Sequence, residues 1–417
     1  MSGVASSKPS GLFRSLNSAN YRLWIGGSLL SNVGTWMQRI AQDWLVLTQL
    51  THNNATTVGF VMALQFGPIM LLLPISGHTV DHFDRRKLLI ATQGALAALA
   101  LTLGFLTISG LVQLWHVYLL AFLQGCVAAF DQTARQTFVS ELVEDADLPN
   151  AVAVNAISFN AARLIGPAVA GLLIAAVGTG PAFLLNGVSF ATVLWSLLVM
   201  RTDAMRQQKK PKHRDSLLEG FRYVWTRPDL KTALIMLLLI GTFGYNFPIF
   251  VSTMSVKVFH AGPSRFGLLT TMMAVGSVLG AALATRRPNP NMHHLLGGAA
   301  LFGTGCALAA LMPNYLLFGG ALMIIGVSHI TFGTTQTSFL QLSTDHTMRG
   351  RVLAIRNAIS NGTTPIGAPI VGWVADTFGP RWSLGVGAAS GFMAAAIAIA
   401  YLARRREPID NDSEFTA

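Results

Sequence analysis

Long apolar runs alternate with short polar breaks along the whole chain. Most runs are close to the roughly 20 residues that an α-helix needs to cross the hydrocarbon core of a membrane. The pattern therefore predicts twelve transmembrane helices. Their predicted bounds are Leu23–Leu50, Val58–Gly77, Leu88–Ser109, Leu114–Thr133, Asn150–Val177, Pro181–Met200, Thr232–Val256, Phe266–Thr285, His293–Met312, Tyr315–Leu340, Val352–Ala375 and Arg381–Leu402.

The composition also indicates a membrane protein. Of the 417 residues, 52% are hydrophobic and 11% are charged, whereas soluble proteins carry about 25% charged residues. We expect no signal peptide in the first twenty residues, which lack an apolar core. Cys126 and Cys306 lie in apolar runs and are predicted to pack as small hydrophobic residues. Because no metal, phosphate-loop or nucleophile motif occurs, we expect no metal, no cofactor and no enzymatic activity.

The net charge of +11 is concentrated in loops that share one side of the predicted membrane. Basic residues accumulate in cytoplasmic loops, so both termini are predicted to be cytoplasmic and nucleic acid is not expected as a partner. The basic residues on this side are Arg85, Arg86, Lys87, Arg286, Arg287, Arg349, Arg351, those of the central linker and Arg404–Arg406. The opposite loops "THNNATT", "SGLVQLWH", "VGTGP" and "PNY" contain no lysine or arginine, and only Lys257, Arg265 and Arg381 break the pattern.

The charged segment "RTDAMRQQKKPKHRDS" divides the predicted helices into two sets of six. The predicted organisation is a cytoplasmic segment (1–21), a first bundle (22–200), a cytoplasmic linker (201–231), a second bundle (232–403) and a cytoplasmic tail (404–417). At the end of the linker, "LLEGFRYVWTRPDL" alternates apolar and basic residues. This pattern predicts a helix that lies in the membrane interface.

The fifth helix of each half carries the same pattern of small residues. The segments are "NAARLIGPAVAGLLIAAVG", which begins at Asn160, and "NGTTPIGAPIVGWVADTFG", which begins at Asn361. At a constant offset, Asn160, Ile165, Gly166, Gly171 and Gly178 match Asn361, Ile366, Gly367, Gly372 and Gly379. A repeat of this kind predicts two similar six-helix halves, an architecture of transporters that bind substrate between the halves.

The loop after the second predicted helix then resembles the first motif of the major facilitator superfamily, G-x-x-x-D-R-x-G-R-R-R. Here it is "GHTVDHFDRRK", in which Gly77, Asp81, Arg85, Arg86 and Lys87 match and His82 and Asp84 depart. We expect Gly77 to permit a close helix contact, Asp81 to cap a neighbouring helix end and the basic cluster to hold the loop at the cytoplasmic face. The departures are expected to weaken the tight turn.

Two further motifs extend the resemblance. "AFLQG" is similar to the superfamily's R-x-x-Q-G: Gln124 and Gly125 match, but Ala121 replaces the arginine that the superfamily uses in proton transfer. Gly166, Pro167 and Gly171 match a motif associated with exporters, although small residues also serve ordinary helix packing. From about residue 13 to 405, the chain resembles the bacterial secretion-effector branch, which includes enterobactin-exporter-like proteins and multidrug exporters.

Of the acidic residues, only Asp43 and Asp131 lie inside predicted spans. A charge at the bilayer centre costs at least about 2.5 kcal/mol, so such a residue needs a partner or a function. Arg39 and Asp43 share one helix face at a spacing of four residues, and Arg163 of the fifth helix is expected at a similar depth. We predict that this group couples protonation to conformational change. A permanent structural ion pair and a direct substrate contact stay open as alternatives.

Asp131 and Arg135 form a second pair near the cytoplasmic end of the fourth helix. We predict that Asp131 latches onto the basic cluster Arg85–Lys87 and holds the cytoplasmic gate shut in the outward-open state; proton carriage is the alternative.

Other polar residues in the spans are candidates for lining a cavity, with interhelical hydrogen bonds as the alternative role. They are Gln42, Gln65, Gln124, Asn160, Asn246, His329, Gln336 and Asn361. Aromatic walls for an apolar ligand are predicted from Trp36, Trp44, Phe243, Tyr245 and Phe247.

These features predict a secondary transporter that exports small organic molecules, drugs or siderophore-like compounds, by alternating access with proton antiport. The expected partners are a small-molecule substrate, protons and the lipid bilayer of the bacterial inner membrane, with the protein a monomer. An uncoupled or importing carrier of the same fold, including one for lipid-like substrates, is a second possibility, since Ala121 replaces an arginine. A membrane sensor or scaffold is a third, although no segment outside the spans is long enough to form a soluble domain.

Overall fold

Fourteen α-helices account for nearly all of the residues that this computed structural model describes, which are 14–201, 217–284 and 290–406. No strand occurs among these residues. The helices are α1 Ala19–Trp44, α2 Ala55–His82, α3 Arg85–Ile108, α4 Leu114–Leu142, α5 Leu148–Val177, α6 Gly180–Val199, α7 Leu217–Thr226, α8 Pro228–Leu239, α9 Phe247–Thr253, α10 Pro263–Ala284, α11 Met292–Leu311, α12 Tyr315–Ser343, α13 Arg349–Thr377 and α14 Pro380–Arg406. Wider π-helical turns, Leu45–Leu50, Ile240–Gly244 and Met254–Val258, continue α1, α8 and α9, and a 3-10 turn, Arg14–Asn17, precedes α1.

Ten helical segments of the described chain are long and apolar enough to cross a membrane. One of them, Pro228–Val258, combines α8, α9 and their π-helical turns. Helices α1 and α13 fall outside this group because they carry more polar and charged side chains, but their lengths of 26 and 29 residues are sufficient to span. With these two the number agrees with the predicted twelve, and the predicted all-α membrane fold is confirmed.

The seventh spanning segment is broken in its middle, which the hydrophobic pattern did not predict. The break lies at Tyr245 and Asn246, between the π-helical turn after α8 and the start of α9. Pro248 follows directly, and proline is tolerated in the first turn of a helix because it has no N–H to donate. The side chain of Asn246 stabilises the break by donating a hydrogen bond of 2.7 Å to the carbonyl oxygen of Thr242.

Several helices begin at a polar side chain that caps the first turn. Asn54 accepts a hydrogen bond from the backbone N–H of Thr57 at 3.0 Å, and Asp84 accepts one from Lys87 at 3.0 Å. The expectation that Asp84 weakens the tight turn is therefore wrong. Its φ of −63° is open to any residue, and its carboxylate starts α3.

The two ends of the spanning helices define two sides of the molecule. The side on which α1 begins is called here the terminal side, and the opposite side is called the far side. Because the helices alternate in direction, α5 and α13 both begin on the terminal side and end on the far side. Both end at a glycine with positive φ, Gly178 at 85° and Gly379 at 104°, a conformation that glycine adopts without strain.

The repeated glycines of α5 and α13 make equivalent contacts within their own halves. A Cβ atom at Gly166 would lie 2.5 Å from the Cβ of Trp36 in α1. A Cβ at Gly367 would overlap the backbone of Thr242, next to α8, which is the counterpart of α1 in the second half. The absence of a side chain at both positions therefore lets the helix backbones approach closely.

The second repeated pair joins the two halves to each other. A Cβ at Gly171 would lie 2.9 Å from the Cα of Gly267 in α10, and a Cβ at Gly372 would lie 2.8 Å from the Cα of Thr56 in α2. Both contacts lie toward the far side. The two halves are therefore packed closely there.

Helix α7 lies in the segment for which an interfacial helix was predicted. Glu219 forms an ion pair of 2.9 Å with Arg351 of α13, which attaches α7 to the second half. Phe221 and Trp225 are exposed, and the location of α7 in the membrane interface stays a prediction. Arg286, Arg287 and residues 1–13, 202–216 and 407–417 lie outside the described residues, as do the side chains of Arg405 and Arg406.

We expect Gly171→Val to destabilise the protein by about 1–3 kcal/mol, because the added side chain would force α5 away from α10. The thermal unfolding midpoint of the detergent-solubilised protein measures this effect. Gly94→Val is the matched control, since no atom lies within 4 Å of a Cβ at Gly94. Equal midpoints for the two variants would show that the contact at Gly171 does not hold the halves together.

Candidate functional site

A cavity of about 180 Å³ lies between the two halves. Helices α1, α2 and α5 form its wall on one side, and α9, α10, α13 and Tyr245 form the wall on the other. Its charged and polar lining residues are Arg39, Gln42, Asp43, Gln65, Arg163, Tyr245, Thr270 and Thr364. The remaining lining is apolar and aromatic, which is typical of small-molecule sites.

The structure brings the three predicted charged residues to this one cavity. Arg39 and Asp43 extend from α1 and Arg163 extends from α5. Asp43 is 8% exposed and forms no hydrogen bond and no ion pair with any described residue. A carboxyl group in this situation lacks the partners that buried charges normally have.

The direct ion pair expected between Arg39 and Asp43 is not formed. Instead the guanidinium carbon of Arg39 lies 4.9 Å from the ring centre of Trp36 and 5.8 Å from that of Phe66. The guanidinium carbon of Arg163 lies 5.6 Å from the same Trp36 ring. Both arginines are thus held by cation–π contacts, and Asp43 interacts with Arg39 only through space.

The opposite wall is aromatic. The ring of His329 lies 4.4 Å from that of Tyr245 and 5.0 Å from that of Phe247, in both cases edge to face. The hydroxyl of Tyr245 and Nδ1 of His329 are buried and have no hydrogen-bond partner within the described part of the chain. Tyr245 and Phe247 therefore form an aromatic wall, with His329 packed behind it. Of the other predicted aromatic residues, Trp36 lines the cavity, whereas Trp44 and Phe243 do not.

The other predicted polar residues divide into two groups. Gln42 and Gln65 line the cavity, and Gln65 donates a long hydrogen bond of 3.5 Å to Gln124. Gln124 and the remaining four do not line it. Asn160, Asn246 and Gln336 each donate a hydrogen bond to a backbone carbonyl oxygen, and Asn361 is half-buried away from the cavity.

Asp131 does not contact the basic cluster Arg85–Lys87. It accepts hydrogen bonds from Thr92 at 2.9 Å and Gln93 at 2.6 Å, both in α3, and pairs with Arg135 at 2.8 Å. These nearer donors within the first half satisfy the carboxylate. The predicted latch is therefore not made in this structure.

The basic cluster has other partners. Arg85 pairs with Glu141 at 2.6 Å, and Arg86 donates to the carbonyl oxygens of Leu197 and Leu198. Lys87 is exposed.

The helix contacts expected at the start of this motif are also not made. Asp81 is exposed and caps no helix end within the described residues. A Cβ at Gly77 would meet no atom within 4 Å. The terminal-side end of α2 therefore has open space beside it.

Two polar residues, Arg356 and Asp376, were missed from the sequence because both lie near the ends of predicted spans. Arg356 is half-buried in α13 on the terminal side of the cavity, where its Nε has no hydrogen-bond partner. Asp376 lies one residue past the predicted eleventh span. The presence of Lys257, one of three basic residues that break the charge pattern on that side, was the signal that could have revealed a partner there.

Asp376 connects the two halves on the far side. Its carboxylate accepts hydrogen bonds from the backbone N–H of Ala55 at 2.9 Å and from the backbone N–H and hydroxyl of Thr56 at 2.8 and 2.7 Å. It also pairs with Lys257 at 2.7 Å. A carboxylate of the second half thus caps the N-terminus of α2 in the first half, a favourable position for a negative charge.

Comparison with known families identifies this architecture. The model of the transmembrane secretion effector family matches residues 11–415. The chain belongs to that family. The predicted resemblance to the secretion-effector branch of the major facilitator superfamily is therefore confirmed.

Similar proteins include several bacterial transporters. The chain is 25% identical to the staphyloferrin A transporter of Staphylococcus aureus, covering 86% of this chain and 90% of that protein. It is 25% identical to the multidrug efflux pump Tap of Mycolicibacterium fortuitum, covering 84% and 88%. It is 24% identical to the enterobactin exporter EntS of Shigella flexneri, covering 83% and 82%.

Solved transporter structures share the fold. A bacterial homologue of the iron transporter ferroportin in an inward-facing state superposes with a TM-score of 0.70 at 16% identity, covering 92% of this chain and 98% of that chain. The nucleoside transporter NupG superposes with a TM-score of 0.71 at 12% identity, covering 93% and 100%. At this identity the likeness shows the fold alone.

We expect Asp131→Asn to lower the free energy of unfolding by about 1–3 kcal/mol, because Arg135 loses its charged acceptor. Thermal unfolding in detergent measures the loss. Asp81→Asn is the control and should change the midpoint little, because Asp81 is exposed. A midpoint that stays at the wild-type value in Asp131→Asn would indicate that this aspartate is not a structural partner within the first half.

Proposed function

We propose that this transporter exports small organic molecules, of the drug or siderophore kind, from the cytoplasm by alternating access in exchange for protons. The observation that carries the proposal is Asp43, a buried carboxyl group that faces the cavity without a hydrogen bond or ion pair to any residue that the structure describes. Protonation removes the cost of holding such a charge away from water. The binding of a proton at Asp43 therefore changes the energy of the cavity.

The names of similar proteins support export. One is called a multidrug efflux pump and another an enterobactin exporter, and the family description itself refers to secretion. The apolar and aromatic lining of the cavity suits organic ligands of this kind.

Competition between ligand and proton at Asp43 supplies the exchange. With Asp43 ionised, a hydrogen-bond donor of the ligand is attracted to the carboxylate. When a proton arrives from outside, Asp43 becomes neutral and holds that donor less strongly. The ligand then leaves on the outer side, and the proton leaves Asp43 after the cavity returns to the cytoplasmic side. A ligand shifts the balance between two conformations only as far as its affinity for them differs.

The contact at Asp376 is proposed as the outer gate. Its hydrogen bonds to α2 cross from one half to the other, so they break when the halves separate on the far side. The repeated glycines Gly171 and Gly372 make backbone contacts on the same side. Opening to the far side therefore requires loss of the ion pair, the helix cap and the glycine contacts together. The latch between Asp131 and the cluster Arg85–Lys87 is kept as a proposal for that far-side-open conformation.

We place the terminal side in the cytoplasm of a bacterial inner membrane, with bundles at 22–200 and 232–403. The distribution of basic loop residues supports this orientation. The three basic residues on the far side each have a local partner: Lys257 pairs with Asp376, Arg265 stacks on Tyr315 at 4.9 Å, and Arg381 donates to the carbonyl oxygen of Met312. They are bound in local contacts, so they do not weaken the assignment.

An uncoupled or importing carrier is the second candidate. It is favoured by Ala121, which is buried where the superfamily motif has an arginine. The vesicle experiment described next separates a proton-coupled exporter from an uncoupled carrier.

We expect Asp43→Asn to abolish proton exchange, because a side-chain amide, unlike a carboxylate, does not take up a proton in this assay. Inverted vesicles with an acid interior are exposed to the compound that best protects pump-deficient cells in a panel of drugs and siderophores. With the wild-type protein, this compound should partly collapse the gradient. The response should fall at least about tenfold in Asp43→Asn and persist in the control Asp81→Asn. Normal proton exchange by Asp43→Asn would show that Asp43 does not carry the exchanged proton. Transport by the wild type without any proton movement would favour the uncoupled carrier.

We expect Asp376→Asn to open the far side, because the loss of hydrogen bonds to a charged group costs about 1.5–3 kcal/mol. Spin labels at Ser109 and Leu311, two exposed residues at the far ends of α3 and α11, report the separation of the halves by double electron–electron resonance. The separation should lengthen in a large fraction of Asp376→Asn molecules. Asp84→Asn is the matched control, since Asp84 caps its own helix within one half. Equal distance distributions in the wild type and Asp376→Asn would remove this residue from the gate.

A further inference from the structure

The charges that line the cavity do not balance. Two guanidinium groups, Arg39 and Arg163, face one carboxylate, Asp43. Asp43 interacts through space with Arg39. The charge that acts on Arg163 is the like charge of Arg39.

Arg163 is also without an ion pair or a hydrogen bond among the described residues. Its one close favourable contact is the ring of Trp36, which it shares with Arg39. A guanidinium group presents five N–H donors, and a buried site without acceptors leaves most of them unused. Two cations beside one ring are unfavourable until a negative charge joins them.

A third arginine extends the positive region toward the terminal side. Arg356 and Thr364 lie eight residues apart in α13, about 12 Å along the helix axis, and Thr364 lines the cavity. Arg356 acts electrostatically on Tyr245 of the cavity wall and on His329 behind it. An anion that enters from the terminal side therefore meets a positive group before it reaches Arg163.

The rest of the cavity suits an aromatic or apolar body. Trp36 and Phe66 lie on one wall and Tyr245 and Phe247 on the other. The cavity volume of about 180 Å³ is slightly larger than the roughly 150 Å³ engineered cavity that holds benzene in another protein. The unpartnered hydroxyl of Tyr245 is available for a polar substituent.

We propose that the cavity recognises an organic acid, whose carboxylate binds Arg163 while its ring or apolar body packs between Trp36 and the Tyr245–Phe247 wall. The inference rests on the proposed function in that it takes this cavity as the substrate site. Planar carboxylates match the fork of a guanidinium group, and the two form short, charge-assisted hydrogen bonds. Arg163 is then the residue that selects acids over neutral molecules of the same shape.

The test compares 4-fluorobenzoate with 4-fluorobenzamide, which have nearly the same shape but differ in charge. Binding of each probe to the purified full-length protein in detergent is followed by the broadening of its fluorine resonance, without any gradient or transport. We expect the wild type to bind the acid about tenfold more tightly than the amide. In Arg163→Gln that preference should vanish while the amide still binds, which also shows that the cavity is intact. Arg163→Lys should keep part of the preference, because it keeps the charge.

Arg265→Gln is the control variant. Arg265 stacks on Tyr315 at the same 4.9 Å that separates Arg39 from Trp36, but it lies outside the cavity. Its replacement should leave the acid preference at the wild-type value. Equal binding of acid and amide by the wild type overturns the inference without any variant, as does an undiminished preference in Arg163→Gln.

Failure here is distinguishable from failure of the proposed function. An acid preference that depends on Arg163, in a protein that exports nothing in the vesicle assay, would sustain this site and refute the exporter. Proton-coupled export by a protein without acid preference would sustain the exporter and refute this site.

Discussion

The contact between Gly166 and Trp36 is the constraint on which the cavity depends. Because residue 166 has no side chain, the backbone of α5 lies directly against α1 at the tryptophan. That approach places Arg163, about one turn before Gly166, within 5.6 Å of the Trp36 ring that Arg39 also contacts. The position of Arg163 relative to Arg39 and Asp43 follows from this close approach of two helices. A larger residue at position 166 would move α5, and with it Arg163 and the cavity wall at Pro167.

The sequence predicted the depth of the charged residues along their helices and the repeat between the two halves. It predicted the directions of the side chains less well. A spacing of four residues correctly placed Arg39 and Asp43 on one face of α1, and the direction of α5 correctly placed Arg163 at the same cavity. The spacing could not show that Arg39 turns toward Trp36 instead of Asp43, because that choice depends on packing between α1, α2 and α5. The site roles predicted from the sequence therefore stay predictions, although a cavity that brings Arg39, Asp43 and Arg163 together is present.

The same limit explains the contacts that the sequence did not predict. In this conformation Asp131 accepts hydrogen bonds from Thr92 and Gln93 and does not contact the basic cluster Arg85–Lys87 at the start of the same helix, α3. Asp376 was overlooked because it lies just past a predicted span, where an acidic residue is common in a loop. Its partners come from residues 55, 56 and 257, and no local pattern connects such distant positions. The glycine repeat, in contrast, correctly indicated that α5 and α13 are equivalent, since both use the same two positions for close contacts.

An acid-binding cavity constrains how proton exchange can work. An anion at Arg163 adds negative charge near Asp43, and like charges favour the neutral, protonated carboxyl group. On charge alone, therefore, acid and proton would bind together, and binding is reciprocal. Exchange requires a stronger opposing effect, which a hydrogen-bond donor on the ligand supplies when it occupies the ionised Asp43 directly. A transported ligand should thus carry both an acidic group for Arg163 and a hydroxyl, amide or amino donor for Asp43. A simple acid such as benzoate has only the first, so it can report the anion site without moving protons.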